Sequence, residues 1–141
     1  MTLETIKPDN PINRLLRYAP HMAFGVITAV LLLAILSMNA GRFVYALDDP
    51  YIHLAMAENI ARGHYGINLS EPAAASSSII WPFLLAPFTL TAVGEYVPLL
   101  LNITFGFINV ILIVRILERS LPDLGTLRRS LLAVVITTST N

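Results

Sequence analysis

The chain has 141 residues, of which 55% are hydrophobic and 13% are charged, with nine acidic and nine basic side chains. Soluble domains usually carry about 25% charged residues, so much of this surface is expected to face lipid. The balanced charge and the lack of a Lys/Arg-rich run give no indication of a nucleic-acid partner. The absence of cysteine excludes disulfides and thiolate chemistry. The composition therefore predicts a membrane protein whose first partner is the lipid bilayer.

The first long apolar run extends from Ala19 to Gly41 and carries no formally charged side chain. About 20 apolar residues are enough to cross the hydrocarbon core, so we predict a transmembrane helix over 19–41. Lys7, Arg14 and Arg17 precede it, and the positive-inside rule places segment 1–18 in the cytoplasm. A cleaved signal peptide is the alternative. Its apolar core has only about 7–15 residues and leads to a small-residue cleavage site, which this run does not match.

The second long apolar run extends from Val97 to Val114 and is predicted to return the chain to the cytoplasm. Four arginines follow it, so the positive-inside rule assigns 115–130 to a cytoplasmic loop: Arg115, Arg119, Arg128 and Arg129. The acidic segment 42–96 is then an external loop. Another apolar run begins at Leu131, which predicts that 131–141 starts a truncated third transmembrane helix. The fold class expected is all-α, with polytopic transmembrane helices and an external loop that carries juxtamembrane amphipathic helices.

A surface helix is predicted over residues 50–62 of the external loop. Asp49 is a favoured N-cap residue, Pro50 is favoured at the first helical position, and Gly63 is a typical helix stop. The apolar residues that recur at four-residue spacing form one predicted buried stripe: Ile52, Met56 and Ile60. Glu58 should be solvated, in a weak pair with the arginine four residues later.

Residues 79–93 are also apolar and are predicted to form a juxtamembrane helix after a capping Ser78. The run is short for a span, and Pro82 and Pro87 would each interrupt helical hydrogen bonds. Trp81 suits the membrane interface. A full span here would also place the arginine cluster outside, against the positive-inside rule.

The adjacent carboxylates of Asp48 and Asp49 lie just beyond the first span, where acids are candidates for chemistry. A cap role explains Asp49, so Asp48 is the sharper candidate for a general base that accepts a proton from a hydroxyl or amine. The alternative for Asp48 is a solvated boundary acid. His53 shares a helix face with Asp49, where the pair could help to hold a divalent cation such as Mg²⁺ or Mn²⁺, or orient a phosphate. His53 and Tyr51 are candidates for substrate binding, with an interface position as the alternative for both.

These features together resemble the N-terminal region of GT-C type integral-membrane glycosyltransferases. The motif that carries the resemblance is Asp-Asp-x-Tyr-Ile-x-Leu-x-x-Ala-x-Asn-x-x-x-Gly, which runs here from Asp48 to Gly63. It is continued by Gly66-Ile67-Asn68, Glu71-Pro72, Ser76-Ser77-Ser78 and Trp81-Pro82-Phe83-Leu84-Leu85. The resemblance covers about Arg14 to Arg119.

The resemblance implies a polyprenyl-phosphate-linked sugar as donor, with Asp48 as the catalytic carboxylate and Asp49 as its supporting acid. Some enzymes of this family require a divalent cation and others do not, so a cation at this acidic pair is one of the possibilities that the resemblance implies. In the family, residues further along the chain bind the donor phosphate, so this piece is expected to be inactive by itself. The whole protein is expected to be a multi-pass protein of the bacterial inner membrane. The rival interpretation is a non-enzymatic membrane subunit or transporter fragment whose acidic pair binds cations. Transport acids usually lie within spans, near the midplane. A simple membrane anchor would leave the capped helix unexplained.

Overall fold

The computed structural model describes residues 10–70 and 76–139, and within these ranges all regular structure is helical. The prediction of an all-α fold is therefore confirmed for this part of the chain. The elements in chain order are α1 (Pro11–Met38), α2 (Asp49–Ala61), α3 (Ile80–Thr89), a 3-10 turn (Gly94–Tyr96), α4 (Val97–Ser120) and α5 (Thr126–Ser139). Lys7 and the Glu71-Pro72 step lie outside the described residues.

Among the described residues, two helical stretches are long and apolar enough to cross a membrane: α1, with 28 residues, and Gly94–Ser120, with 27 residues. At 1.5 Å per residue each is about 40 Å long, which exceeds a hydrocarbon core of about 30 Å. In contrast, α3 has 10 residues and reaches only about 15 Å. The structure thus agrees with a short helix, and not a span, in the region predicted as 79–93.

The observed helices extend beyond the predicted spans. The first begins at Pro11 instead of residue 19, and the fourth continues to Ser120, so the predicted loop 115–130 is reduced to residues 121–125. The fifth begins at Thr126 instead of residue 131. Apolarity marks the part of a helix that matches lipid, whereas backbone hydrogen bonds continue into polar flanks because they do not depend on the side chains.

The C-terminal end of α1 comes at Met38, three residues before the predicted limit. Ala40 and Gly41 have φ angles of 52° and 80°, in the left-handed region that closes helices. The Gly41 N–H donates to the Leu36 carbonyl at 2.8 Å, which is the six-residue closure of a Schellman motif. The glycine that ends the apolar run is therefore part of the helix stop.

The chain divides into two compact units, one comprising residues 35–104 and the other the remaining residues. In the latter, α1 and α4 run antiparallel. Arg17 Nε, early in α1, lies 3.0 Å from Glu118 Oε1, late in α4, whereas Phe24 meets the earlier Phe107 edge-on at 4.9 Å. Later residues of α1 therefore contact earlier residues of α4.

Two glycines let these helices approach each other. A Cβ atom on Gly106 would overlap the Phe24 ring, and one on Gly25 would come within 3.9 Å of Phe107. Each helix thus presents a glycine to the phenylalanine of the other. Small residues at the contact are typical of helix pairs in membranes, where close approach replaces the hydrophobic effect as the source of association.

Pro20 lies inside α1 and is buried. Proline has no N–H, so it cannot donate to the carbonyl of Leu16 four residues earlier. The Ser130 hydroxyl of α5 donates to that carbonyl instead, at 2.6 Å. Hydroxyl groups of neighbouring helices satisfy freed carbonyls in this way where no water is present to do so. The proline in α1 and the serine in α5 are therefore structurally linked.

Replacing Ser130 with alanine should lower the free energy of unfolding by about 1 kcal/mol, because the Leu16 carbonyl then has no donor. In a Pro20→Ala background the new N–H reaches Leu16, so the Ser130→Ala loss should shrink toward zero. Thermal unfolding in detergent of the four proteins of this cycle is the measurement. Thr138→Ala is the matched control, because that hydroxyl only donates to carbonyls of its own helix. Equal Ser130→Ala losses in both backgrounds would contradict the link.

In the unit formed by residues 35–104, α2 packs against α3. The buried core comprises Ala57, Leu85, Ala86 and Val97, and four apolar residues are partly buried against it: Leu54, Ile60, Trp81 and Leu101. The predicted stripe on α2 is therefore only partly correct. Met56 is fully buried, but Ile52 and Ile60 are half-buried, and Glu58 is exposed as predicted. Ala57 of α2 is buried against Leu85 and Ala86 of α3, and two polar side chains of α2, His53 and Asn59, are buried as well.

The C-terminal end of α2 is well defined. At its C-terminus Gly63 has φ 83°, and the His64 N–H donates to the Asn59 carbonyl at 2.9 Å, so the predicted glycine stop is confirmed. The buried Asn59 amide donates to the carbonyls of Gly66 and Ile67, each at 2.8 Å. These bonds satisfy the amide and hold the following turn against the helix.

The third helix differs from its prediction in length, since α3 ends at Thr89 and not at residue 93. Pro82 occupies the third position of α3, where an N–H would have no partner within the helix. Pro87 lies inside α3, which continues for two more residues after it. The turn that follows depends on Gly94. A Cβ there would come within 2.8 Å of the backbone oxygens of Phe88 and Thr89, so only glycine fits.

Candidate functional site

The acidic pair lies at the N-terminus of α2. Asp48 is the N-cap, and its carbonyl accepts the N–H groups of Tyr51 at 2.9 Å and Ile52 at 3.1 Å. The predicted cap position at Asp49 is therefore wrong by one residue. Asp49 is the first helical residue, where its charge is favoured by the helix dipole. Because the Asp48 side chain makes no cap hydrogen bond, capping does not account for that carboxylate.

Asp49 and His53 line one open cleft of about 410 Å³, a size within the range of small-molecule sites. Its other lining residues come from the segment before α2, from the first turn of α2, from α3 with its preceding turn, and from the first half of α4: Leu47, Pro50, Ser78, Trp81, Pro98 and Asn102. The structure thus brings together two predicted site residues. Asp48 is exposed but is absent from the residues that line the cleft.

His53 is only 9% exposed and is held from one side. Its Nδ1 atom lies 2.8 Å from the Ser76 hydroxyl. That hydroxyl also donates to the Ser78 carbonyl at 2.6 Å and accepts the Ser78 N–H at 3.1 Å. Ser76 and Ser78 therefore form a compact turn that fixes the imidazole.

Tyr51 has a structural role that the sequence did not indicate. Its hydroxyl accepts the Tyr45 N–H at 3.1 Å, and the two rings meet edge-on at 5.4 Å. The Tyr51 hydroxyl thus ties the segment before α2 to the helix. Tyr51 is absent from the lining of the cleft, and its role in substrate binding stays a prediction.

Tyr45 connects the approach to Asp48 with the start of α4. Its hydroxyl donates to the Glu95 carbonyl at 2.7 Å and accepts the Leu99 N–H at 3.3 Å. That N–H lies in the first turn of α4, where donors have no partner within the helix. Burial raises the pKa of Tyr45 above the usual 10.0, so the hydroxyl stays protonated and able to donate.

Replacing Tyr45 with phenylalanine should lower the free energy of unfolding by about 1–2 kcal/mol, because the Leu99 N–H and the Glu95 carbonyl both lose their partner. Thermal unfolding in detergent measures the loss. Tyr65→Phe is the matched control, because Tyr65 contacts Phe83 through its ring, stacked at 5.9 Å. A Tyr45→Phe protein as stable as this control would contradict the capping role.

A metal site at the acidic pair has limited support from protein ligands. Among residues 10–70 and 76–139, no group of three His, Cys, Asp or Glu side chains could hold a metal ion. Mg²⁺ is often bound by one or two carboxylates and several waters. Asp48 and Asp49 could therefore supply only part of such a coordination shell.

The residues that sequence reasoning did not identify as part of the site are Ser76, Ser78 and Asn102. Ser78 was predicted only as a helix cap, and Asn102 lies inside the second apolar run. A polar amide in an otherwise apolar span was the available signal. Trp81, which is predicted at the membrane interface, also lines the cleft.

Comparison of the chain with protein-family models, curated proteins and solved structures gave no match. The functional conclusion therefore depends on the residues and the geometry described above.

Proposed function

We propose that this chain is the N-terminal part of a GT-C type membrane glycosyltransferase. The enzyme moves a sugar from a polyprenyl-phosphate donor to an acceptor at the outer face of the membrane. The observation that carries the proposal is the acidic pair Asp48-Asp49, whose second member lines a cleft together with an imidazole, an indole and an amide. A carboxylate and an aromatic ring in one cleft suit a ligand that has hydroxyl donors and an apolar face.

The proposed topology has α1 and α4 as transmembrane helices of a multi-pass protein in the bacterial inner membrane. Their antiparallel contact in one unit supports a return of the chain to the side on which it started. Arginines precede α1 and follow α4, so the positive-inside rule assigns that side to the cytoplasm. The segment between them, with α2 and α3, is then external.

In the proposed mechanism, Asp48 accepts a proton from the acceptor hydroxyl or amine as that group attacks the sugar carbon. The polyprenyl phosphate leaves from the same carbon, so one bond forms as the other breaks. The exposed Asp48 carboxylate, which is not engaged in capping, is available to an acceptor that arrives from outside. Asp49 supports it and, with His53, contacts the sugar. Where a divalent cation takes part, the two carboxylates supply some of its ligands.

The test is sugar transfer by the complete protein that bears this segment, reconstituted into liposomes. A radiolabelled polyprenyl-phosphate sugar is supplied together with hydroxyl- or amine-bearing acceptors from the membrane fraction. We expect label to pass to an acceptor. Cation flux across the same liposomes without any transfer would instead favour the transporter fragment.

A further inference from the structure

The Ser76 hydroxyl determines which nitrogen of His53 carries a proton. Ser76 Oγ and the Ser78 carbonyl oxygen lie 2.6 Å apart. A carbonyl has no hydrogen to donate, and two oxygens at this distance would repel without a proton between them. The single hydrogen of Ser76 must therefore point to Ser78. At the 2.8 Å contact with His53 Nδ1, Ser76 can act only as the acceptor.

The consequence for the imidazole is a fixed tautomer. A neutral histidine has one N–H, and when Nδ1 carries it, Nε2 keeps a free lone pair. The hydrogen bond at one nitrogen thus sets the chemistry of the other. His53 lines the cleft, and in this tautomer the acceptor of its ring is Nε2.

The polar groups of the cleft favour a ligand that donates hydrogen bonds. The Asp49 carboxylate only accepts, and neutral His53 accepts through Nε2. A phosphate is itself an acceptor with negative charge, and Asp49 would repel it. A neutral sugar ring offers several hydroxyl donors, and its apolar face can pack on Trp81. The cleft therefore suits the sugar part of a donor, and its phosphate belongs elsewhere.

We propose that Ser76 is a positioning residue that holds His53 in the Nδ1–H tautomer, so that Nε2 accepts a hydrogen bond from a hydroxyl of the sugar bound in the cleft. This inference rests on the proposed function for the identity of the ligand. The tautomer itself follows from the hydrogen bonds alone. His53 acts here in binding, and Asp48 acts in proton transfer.

The first test is nitrogen NMR of the complete protein labelled with ¹⁵N-histidine, at mildly alkaline pH, where an imidazole is neutral. We expect His53 to show protonated Nδ1 and unprotonated Nε2. Ser76→Ala should shift the ring toward Nε2–H, while the signals of His21 and His64 stay unchanged. Loss of the His53 signal in His53→Asn assigns it. An Nε2–H ring in the unsubstituted protein, or no change with Ser76→Ala, would overturn the proposal.

The second test is transfer kinetics with the polyprenyl-phosphate sugar as the varied substrate. Ser76→Ala and His53→Asn should each raise KM about tenfold, as for loss of one hydrogen bond, with little change in kcat. The asparagine amide retains the bond to Ser76 and lacks the distal acceptor. His53→Gln, which places an amide near Nε2, should recover part of the affinity. Unchanged KM in His53→Asn, or no recovery in His53→Gln, would overturn the binding role.

The two proposals fail separately in these experiments. A wrong tautomer overturns the role of Ser76 whether or not the protein transfers sugar. An Nδ1–H tautomer in a protein that never transfers sugar would overturn both the proposed function and the sugar as ligand.

Discussion

Replacing Asp48 with asparagine should slow sugar transfer by about 100-fold or more, which is the range expected when a general base is removed. Asparagine has nearly the same shape and cannot accept the proton. The Asp48 side chain makes no cap hydrogen bond, so α2 should still begin at the same place. The measurement is transfer from a polyprenyl-phosphate sugar in liposomes, with protein level and membrane insertion determined in parallel.

Two matched variants serve as controls for the Asp48→Asn result. Asp49→Asn should have a smaller effect, since Asp49 is proposed to support the site without taking the proton. Glu58→Gln should be nearly silent, because Glu58 is exposed and its contact with Arg62 is a long 3.9 Å, a weak surface pair. A larger loss for Asp49→Asn than for Asp48→Asn would assign the base to the residue that lines the cleft. Near-normal transfer by both aspartate variants would contradict the mechanism.

Single cysteines at residues 69 and 123 should give opposite results with a membrane-impermeant thiol reagent in intact cells. The chain has no native cysteine, so Leu69→Cys and Asp123→Cys each provide a unique target, and both positions are exposed. The proposed topology places residue 69 outside and residue 123 in the cytoplasm, because α4 alone separates them across the membrane. We expect full labelling of the first and protection of the second.

Permeabilised cells serve as the control, since both cysteines should then react. Labelling of both positions in intact cells would mean that the region around α3 also crosses the membrane, although its helix reaches only about 15 Å. Labelling of residue 123 alone would reverse the orientation and move the acidic pair to the cytoplasm. The second result would remove the proposed site from the outer face, whereas the first would leave the acidic pair outside and contradict the external position of α3.

The sequence by itself determined the features that depend on a few neighbouring residues. Two long uncharged runs predicted the two helices of spanning length, because hydrocarbon excludes charge and requires internal backbone hydrogen bonding. Gly63 ended α2 as expected, because a left-handed residue is easily supplied by glycine. Glu58 was correctly placed in solvent. The local predictions that were wrong concern the ends of helices, such as the start of α5. Polar flanking residues continue a helix as readily as apolar ones, so the apolar run alone does not give these ends.

Only the tertiary structure decided which side chains meet. The bond from Ser130 to Leu16 joins positions 114 apart, the bond from Leu99 to Tyr45 joins positions 54 apart, and His53 meets Ser76 across 23 positions. The buried residues of α2 were likewise decided by tertiary contacts, and they include polar His53 and Asn59 in addition to Met56. Apolar periodicity cannot anticipate such a face, because a buried polar group is stable wherever a distant partner completes its hydrogen bonds. That partner is known only once the chain has folded.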